Sequence, residues 1–370
     1  MEGRTDPAAA AGSGSAAGPA SASARVSAAV RSLAPGYFAL VMASGIISIG
    51  LETTGFGIAS AVFLAVCAIA FVVLCVLTVV RVARYRQAVV AEFTDPRKDF
   101  GFFTFVAGAN VLGSRLAMNG LFTWTAVLFV MGSLGWLVLG YVVPWTVAIG
   151  RQQRPLIATA NGTWFDWVVS SQSVAIAATA LAPAAGSART GVALLAVVAW
   201  SVGIFLYAAA GVFVALRLML YPVGPRDLPA SYWVAMGSCA ITVVAGAEIV
   251  QMPAAPVLET ERSLIAGLSL LFWAFATYLI PALVAAGWWR HVVRKVPLTY
   301  DAGLWSMVFP VGMYGVSCLS IGTADRLPIV HQIGTGELWF AVLVWALVFA
   351  AMAVHFVRTV VVGPRRLRAG

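Results

Sequence analysis

The sequence predicts an all-α polytopic membrane protein, with ten transmembrane helices arranged as five helical hairpins. Three observations carry this. Of 370 residues, 61% are hydrophobic and only 10% charged, against roughly 45–50% and about 25% in soluble domains. That share is about 226 residues, enough for ten spans of ~22 residues, since ~20 apolar residues cross ~30 Å of hydrocarbon. Finally, the basic residues divide unevenly: 19 of the 23 fall in the termini and the connectors after even-numbered helices, and only Arg115, Arg189, Arg262 and Arg326 fall elsewhere. Lys and Arg collect in cytoplasmic loops, so this split puts both termini in the cytoplasm and supports an even number of spans. A large outer domain is excluded, because too few polar residues remain to coat one.

Taken in order, residues 1–30 are rich in Ala, Gly, Ser and Pro and predict a disordered cytoplasmic tail. No apolar stretch precedes a cleavage site, so the tail does not resemble a signal peptide. The transport domain is expected over 31–363, and residues 364–370 form a short basic cytoplasmic C-terminus. Within the domain the apolar runs place helices at roughly 34–51, 57–80, 100–117, 121–148, 164–182, 190–216, 231–251, 263–289, 303–321 and 337–361.

A weak internal repeat runs through the odd helices. Each opens with aromatics and then turns to small residues: Gly36-Tyr37-Phe38 before Ala43-Ser44-Gly45, Gly101-Phe102-Phe103 before Ala107-Gly108-Ala109, Thr163-Trp164-Phe165 before Ser170-Ser171, Ser231-Tyr232-Trp233 before Gly237-Ser238, and Leu304-Trp305 before Gly312. The starts at 37, 102, 164, 232 and 305 lie 65, 62, 68 and 73 residues apart. The repeating unit is therefore one hairpin, used five times in parallel. Taken singly, each aromatic also fits an interfacial belt, and each small residue fits close helix packing. Together, five small-residue helices and five bulkier ones predict an inner ring of odd helices around a pore and an outer ring of even helices.

Little else in the sequence carries chemistry. Cys67, Cys75, Cys239 and Cys318 lie inside apolar runs with no metal-ligand spacing, and His291, His331 and His355 are scattered. No paired carboxylates, Ser/His/Asp set or phosphate-binding glycine loop appears. Neither enzyme activity, cofactor nor metal is expected. A lipid-modifying membrane enzyme would need polar residues clustered at one interface, and there are none. The net charge of +9 is accounted for by the loop asymmetry, so no nucleic-acid partner is expected. Pro310, inside the ninth helix, removes one backbone hydrogen bond and predicts a kink. Phe309 beside it lies ~12 Å along the helix from Asp301, near mid-membrane. It can be read as a packed core residue or as a plug, since apolar constrictions gate pores by dewetting. Asn110 reads as a pore residue or as helix glue. Asp166, at the start of the fifth helix, fits a helix-dipole partner. Arg115 and Glu248 rise ~20 Å and ~24 Å from the starts of their helices; they can pair with each other, or Arg115 can draw anions to the outer mouth.

The stretch from Trp305 to Tyr314 resembles the tellurite-resistance/dicarboxylate transporter family, which includes plant guard-cell anion channels and fungal malate and sulfite permeases. So does Pro35-Gly36-Tyr37-Phe38-Ala39-Leu40-Val41-Met42-Ala43-Ser44-Gly45, with Ser44 where the family usually has Thr. Phe103-Thr104-Phe105-Val106, Gly162-Thr163-Trp164 with Ser171-Gln172-Ser173, and Tyr232 to Gly237 are similar to further family segments, and the likeness covers about 33–360. The resemblance implies a homotrimer with one pore per subunit, lined by odd helices and occluded by a Phe that Phe309 matches by its place before Pro310. Gly45, Ser44, Gly108, Asn110, Ser171, Gly237 and Gly312 become candidates to line that pore. The expected substrates are small anions: chloride, nitrate, sulfite, tellurite oxyanions or C4-dicarboxylates. A proton-coupled dicarboxylate or sulfite/tellurite carrier is the alternative, with Asp166 and Glu248 as its proton sites. The excess of Arg over Lys, 21 to 2, points to a GC-rich bacterium and so to its inner membrane.

Overall fold

A computed structural model describes residues 21–149, 155–252, 261–324 and 326–362. Ten of its helices are long and apolar enough to span a bilayer, and no strand occurs among the described residues. They are α1 (Pro35–Thr53), α2 (Gly57–Arg84), α3 (Asp99–Ala117), α4 (Phe122–Thr146), α5 (Gly162–Ala184), α6 (Gly186–Leu220), α7 (Ala230–Gln251), α8 (Arg262–Val293), α9 (Ala302–Ala324) and α10 (Pro328–Val362).

The contacts between helices follow the parity of the sequence. α1 packs on α3, α3 on α5, α5 on α7, α7 on α9, and α9 returns to α1. Each even helix packs against the odd helix of its own hairpin and against the next odd helix, with α10 reaching α1. This cycle agrees with the expected two rings. In the most apolar stretch of each odd helix 67–83% of residues are buried, against 11–28% in the even helices. The even helices turn Ile69, Trp124, Phe205, Leu271 and Leu347 outward, as lipid-facing surfaces do. Cys67, Cys239 and Cys318 are buried and free.

All five odd helices share one device. Each opens with a 3-10 turn, at Pro35–Phe38, Asp99–Phe102, Gly162–Phe165, Ala230–Tyr232 and Ala302–Leu304, and continues directly as α-helix. These turns hold the aromatic starts of the repeat. They tighten the first turn of each helix, where backbone N–H groups lack intrahelical partners.

The structure departs from the expected boundaries at the start of the last helix. α10 starts at Pro328, nine residues before the expected 337, and runs through Gly334 and Gly336. Gly334 lies where a Cβ would sit 2.8 Å from the Gly315 carbonyl oxygen, so it serves close packing of α10 on α9. Residues 22–30, assigned to the tail by composition, lie in a helix (Ala22–Arg31) capped by Ser21. Arg25 Nε and one terminal nitrogen donate to the carbonyls of Val360 and Val361 at the end of α10 (2.8 and 3.0 Å), and Arg81 Nε donates to the Arg31 carbonyl (3.0 Å). The expected tail over 1–20 and the C-terminus over 364–370 lie outside the described residues. Pro310 does not end the helix around it: α-helix continues from Trp305 to Ala324. The carbonyl it frees is that of Ser306, in the first turn, where the loss interrupts little of the ladder.

Gly162 makes the tightest of these contacts with backbone. A Cβ there would lie 2.3 Å from the Ser231 carbonyl carbon and oxygen and 2.4 Å from the Tyr232 nitrogen, all backbone atoms that cannot rotate aside. Gly162→Ala is expected to lower the thermal midpoint of the detergent-purified protein, equivalent to about 1–3 kcal/mol of overpacking. Gly211→Ala, which meets open space, should stay within about 0.5 kcal/mol of the parent.

Candidate functional site: a vestibule over a buried phenylalanine

The starts of the five odd helices enclose a cavity of about 670 Å³ at the end of the molecule that carries most of the described basic residues. Its lining includes Pro35 and Gly36 from α1, Gly101 from α3, Thr163 and Asp166 from α5, Ser231 and Tyr232 from α7, and Ala302, Gly303 and Ser306 from α9. Each helix N-terminus carries roughly half a positive charge from its free N–H groups. Five of them facing one space form an anion-attracting funnel.

The charged side chains around this cavity balance in number. Arg97, Lys98, Arg217 and Arg226 line it, as do Glu92, Asp166, Asp227 and Asp301. Glu92 is held by Arg81 at 2.6 Å, with Lys98 at 4.0 Å. Asp227 faces Arg217 at 3.5 Å and accepts the Gly224 N–H. Asp301 accepts the Gly303 N–H. Arg97 and Arg226 are exposed and have no carboxylate partner among the described residues. The helix ends therefore tip an otherwise balanced site positive. Next to it, burial and the neighbouring Tyr37 push the Tyr300 phenol above its usual range. It stays neutral and accepts the indole N–H of Trp305 at 3.2 Å, steadying the head of α9.

Ser306 forms part of the cavity wall, and Phe309 follows it by three residues on the same helix face, ~4.5 Å deeper. Phe309 is 1% exposed and belongs to one buried apolar cluster with Leu40, Phe103, Val169, Met236 and Ala240, which come from the other four odd helices. The polar vestibule is thus followed inward by buried apolar side chains to which every odd helix contributes.

The seven pore-lining candidates do not line this vestibule; each packs against a neighbouring helix. A Cβ on Gly45 would strike Val111 at 2.6 Å, one on Gly237 the Pro310 ring at 2.7 Å, and one on Gly312 Ile46 at 3.1 Å, while Gly108 lies over Val41 and the Phe38 carbonyl. Ser44 donates to the Leu40 carbonyl and accepts the indole N–H of Trp345. Ser171 donates to the Ala199 carbonyl, and Asn110 donates to Ser173 Oγ. The physical reason is common to all: where inner helices approach most closely, only small residues fit, and buried hydroxyls and amides need partners.

The pairing of Arg115 with Glu248 is corrected. Arg115 is 2% exposed and its partner is Glu52, at the end of α1, at 2.7 Å. Its guanidinium also donates to Ser48 and Ser60 at 2.9 Å and to Asn119. Four of its five N–H groups are used in tying α1, α2 and α3 together, and its charge is met by Glu52, so it serves as an internal tie. Glu248 is exposed, with no ion pair among the described residues. Glu52 escaped the sequence reading because it ends an apolar helix, where a lone carboxylate looks like ordinary interface. Among the described residues no group of three or more His, Cys, Asp or Glu comes together to hold a metal.

The fold defines a multi-pass membrane protein with ten candidate spans whose odd-helix starts open on one polar cavity. The chain matches the voltage-dependent anion channel family over residues 32–353 and belongs to it. It is 54% identical over 156 residues to an uncharacterised membrane protein of Mycobacterium tuberculosis, covering 42% of this chain and 79% of that one. It is 23% identical over 326 residues to an uncharacterised transporter of Methanocaldococcus jannaschii, covering 86% and 92%, and 24% identical over 278 residues to a second transporter of that archaeon, covering 74% and 79%.

The Arg115 cluster has a stability consequence. Arg115→Met is expected to cost about 2 kcal/mol, below the 3–5 of a pair buried on both sides, because the Glu52 side chain is 37% exposed. Glu52→Gln should cost about 1 kcal/mol or less, and Glu248→Gln should leave the melting curve unchanged. A Glu248→Gln loss as large as that of Arg115→Met would contradict the assignment.

Proposed function

We propose that this protein conducts small anions across the bacterial inner membrane, along a path inside the ring of odd helices that Phe309 closes. The observation that carries this is the succession at the basic end: a vestibule of five helix N-termini, then a buried apolar layer containing Phe309. The first concentrates anions without tight binding sites of its own. The second excludes water and ions while the phenyl ring fills it. Membership of an anion channel family supports anion transport in general. The charge asymmetry of the connectors supports placing the vestibule and both termini in the cytoplasm. In this reading each subunit of a homotrimer holds its own path. The anion is of the chloride, nitrate, sulfite, tellurite or C4-dicarboxylate kind, selected by width and by hydroxyl and backbone dipoles. A coupled carrier is the second reading, favoured by one observation: the Asp166 carboxylate has no protein partner.

Phe309→Ala is expected to raise anion current in planar bilayers at least several-fold. Removing a buried phenyl costs about 3–5 kcal/mol, so the variant must first elute from size exclusion like the parent. A correctly folded variant with no more current than the parent refutes the plug. Discrete ohmic steps support a channel, whereas saturating flux that follows the proton gradient supports the carrier.

A further inference from the structure

The end of α8 carries a surface that the vestibule does not use. Its last turn, Trp289–Val293, is π-helical, and the Arg294 N–H donates to the Trp289 carbonyl (2.8 Å). Lys295 then takes a left-handed backbone, φ 52°, and the Val296 N–H returns to the Arg290 carbonyl (3.1 Å). A helix stop of this kind usually holds glycine, which adopts that conformation without a Cβ clash. Here it holds a lysine, so folding alone does not account for the residue. The turn presents Arg294 and Lys295 in succession, both exposed, just past the last residue of the span. Neither has a carboxylate partner among the described residues. The carboxylates of the adjoining connectors are taken: Asp227 faces Arg217, and Asp301 accepts the Gly303 N–H.

Apolar side chains flank the two cations. Trp288 is 64% exposed, Val292 and Val293 are exposed just before the turn, and Leu298 is 75% exposed in the connector beyond it. Arg294 lies over the Trp289 ring, 5.6 Å from its centroid. Arg290, in the same turn, donates from one terminal nitrogen to the Leu228 carbonyl on the α6–α7 connector, and its buried Nε has no partner among the described residues. Cations at a helix C-terminus offset the helix dipole, and loop charge sets orientation. Neither effect calls for a lysine at a left-handed position or for an exposed leucine in the connector. A soluble anion would use the cations and leave Trp288 and Leu298 facing water. Cation, tryptophan and aliphatic together at the edge of a span fit a molecule that is anionic at one end and hydrocarbon at the other. We propose that the end of α8 binds an anionic phospholipid of the adjoining leaflet, its phosphate held by Arg294 and Lys295 and its acyl chains lying along Trp288 and Val292. The site lies outside the vestibule and is independent of the anion path.

The test uses the full chain, purified and delipidated in a neutral detergent, with dioleoylphosphatidylglycerol and dioleoylphosphatidylcholine as probes. Native mass spectrometry measures bound lipid, and the thermal midpoint reports folding. The parent should hold phosphatidylglycerol more tightly than phosphatidylcholine, by roughly fivefold for each cation engaged. Arg294→Gln combined with Lys295→Gln should remove most of that preference. Lys295→Gly is the sharper variant. It relieves the left-handed residue, so its lipid-free midpoint should not fall below the parent's, yet its preference for phosphatidylglycerol should drop by roughly fivefold. Arg84→Gln combined with Arg86→Gln, which removes exposed cations at the end of α2, should keep the parent's preference. Equal binding of the two lipids by the parent overturns the proposal, and so does a doubly substituted α8 end that keeps the preference. A loss at Arg84 and Arg86 as large as that at α8 also overturns it, because the effect is then one of diffuse charge. Displacement of the lipid by excess glycerophosphate overturns the assignment to a lipid and points to a soluble anion instead.

Discussion

The rest of the structure depends on how closely the five inner helices approach one another. In a bilayer the hydrophobic effect does not press helices together, so association relies on packing and on internal hydrogen bonds. The glycines supply the packing. Gly237 admits the ring of Pro310, Gly45 admits Val111, and Gly162 lies against the backbone of Ser231 and Tyr232. Because these contacts link successive odd helices and α9 closes back on α1, the helix starts are carried to a common place. The vestibule is a result of that closure: no single hairpin has it.

The same closeness decides where polar groups go. With little room between inner helices, a buried hydroxyl reaches a carbonyl or side chain of a neighbour, as Ser171 does to Ala199 and Asn110 to Ser173. Arg115 is the extreme case. Its guanidinium gathers Ser48, Ser60, Asn119 and Glu52 from three helices and their ends, which makes it a tie at the end opposite the vestibule. At the vestibule end, by contrast, Asp166 stays without a partner. The two ends thus use their few charged groups differently: one ties helices together, the other keeps a carboxylate that no side chain pairs.

Much of this was legible in the sequence. The span count, the hairpin unit and the parity of the charges depend on composition and spacing alone, which neighbours in space barely alter. The aromatic starts of the repeat were visible too, and they coincide with the 3-10 turns that open each odd helix. Phe309 stood out by its place before Pro310, and it is fully buried in the cluster common to the inner helices. The face of each small residue was not legible. A helix of short side chains has almost no amphipathic signal, so Gly45, Gly108, Gly237 and Gly312 looked equally suited to a pore wall and to a packing seam, and they form seams. The last helix begins at Pro328, nine residues before the apolar run that marked it.

The sequence by itself determined that the chain is a ten-span membrane protein with a five-fold hairpin repeat and one basic side, because bilayer thickness and loop charge act on each segment separately. Only the tertiary structure decided which helices touch, that Arg115 pairs with Glu52 and not Glu248, and that Asp166 shares a cavity with four other helix starts. Those are relations between segments tens to hundreds of residues apart. They follow from the rotation of each helix about its own axis, which packing against its neighbours decides.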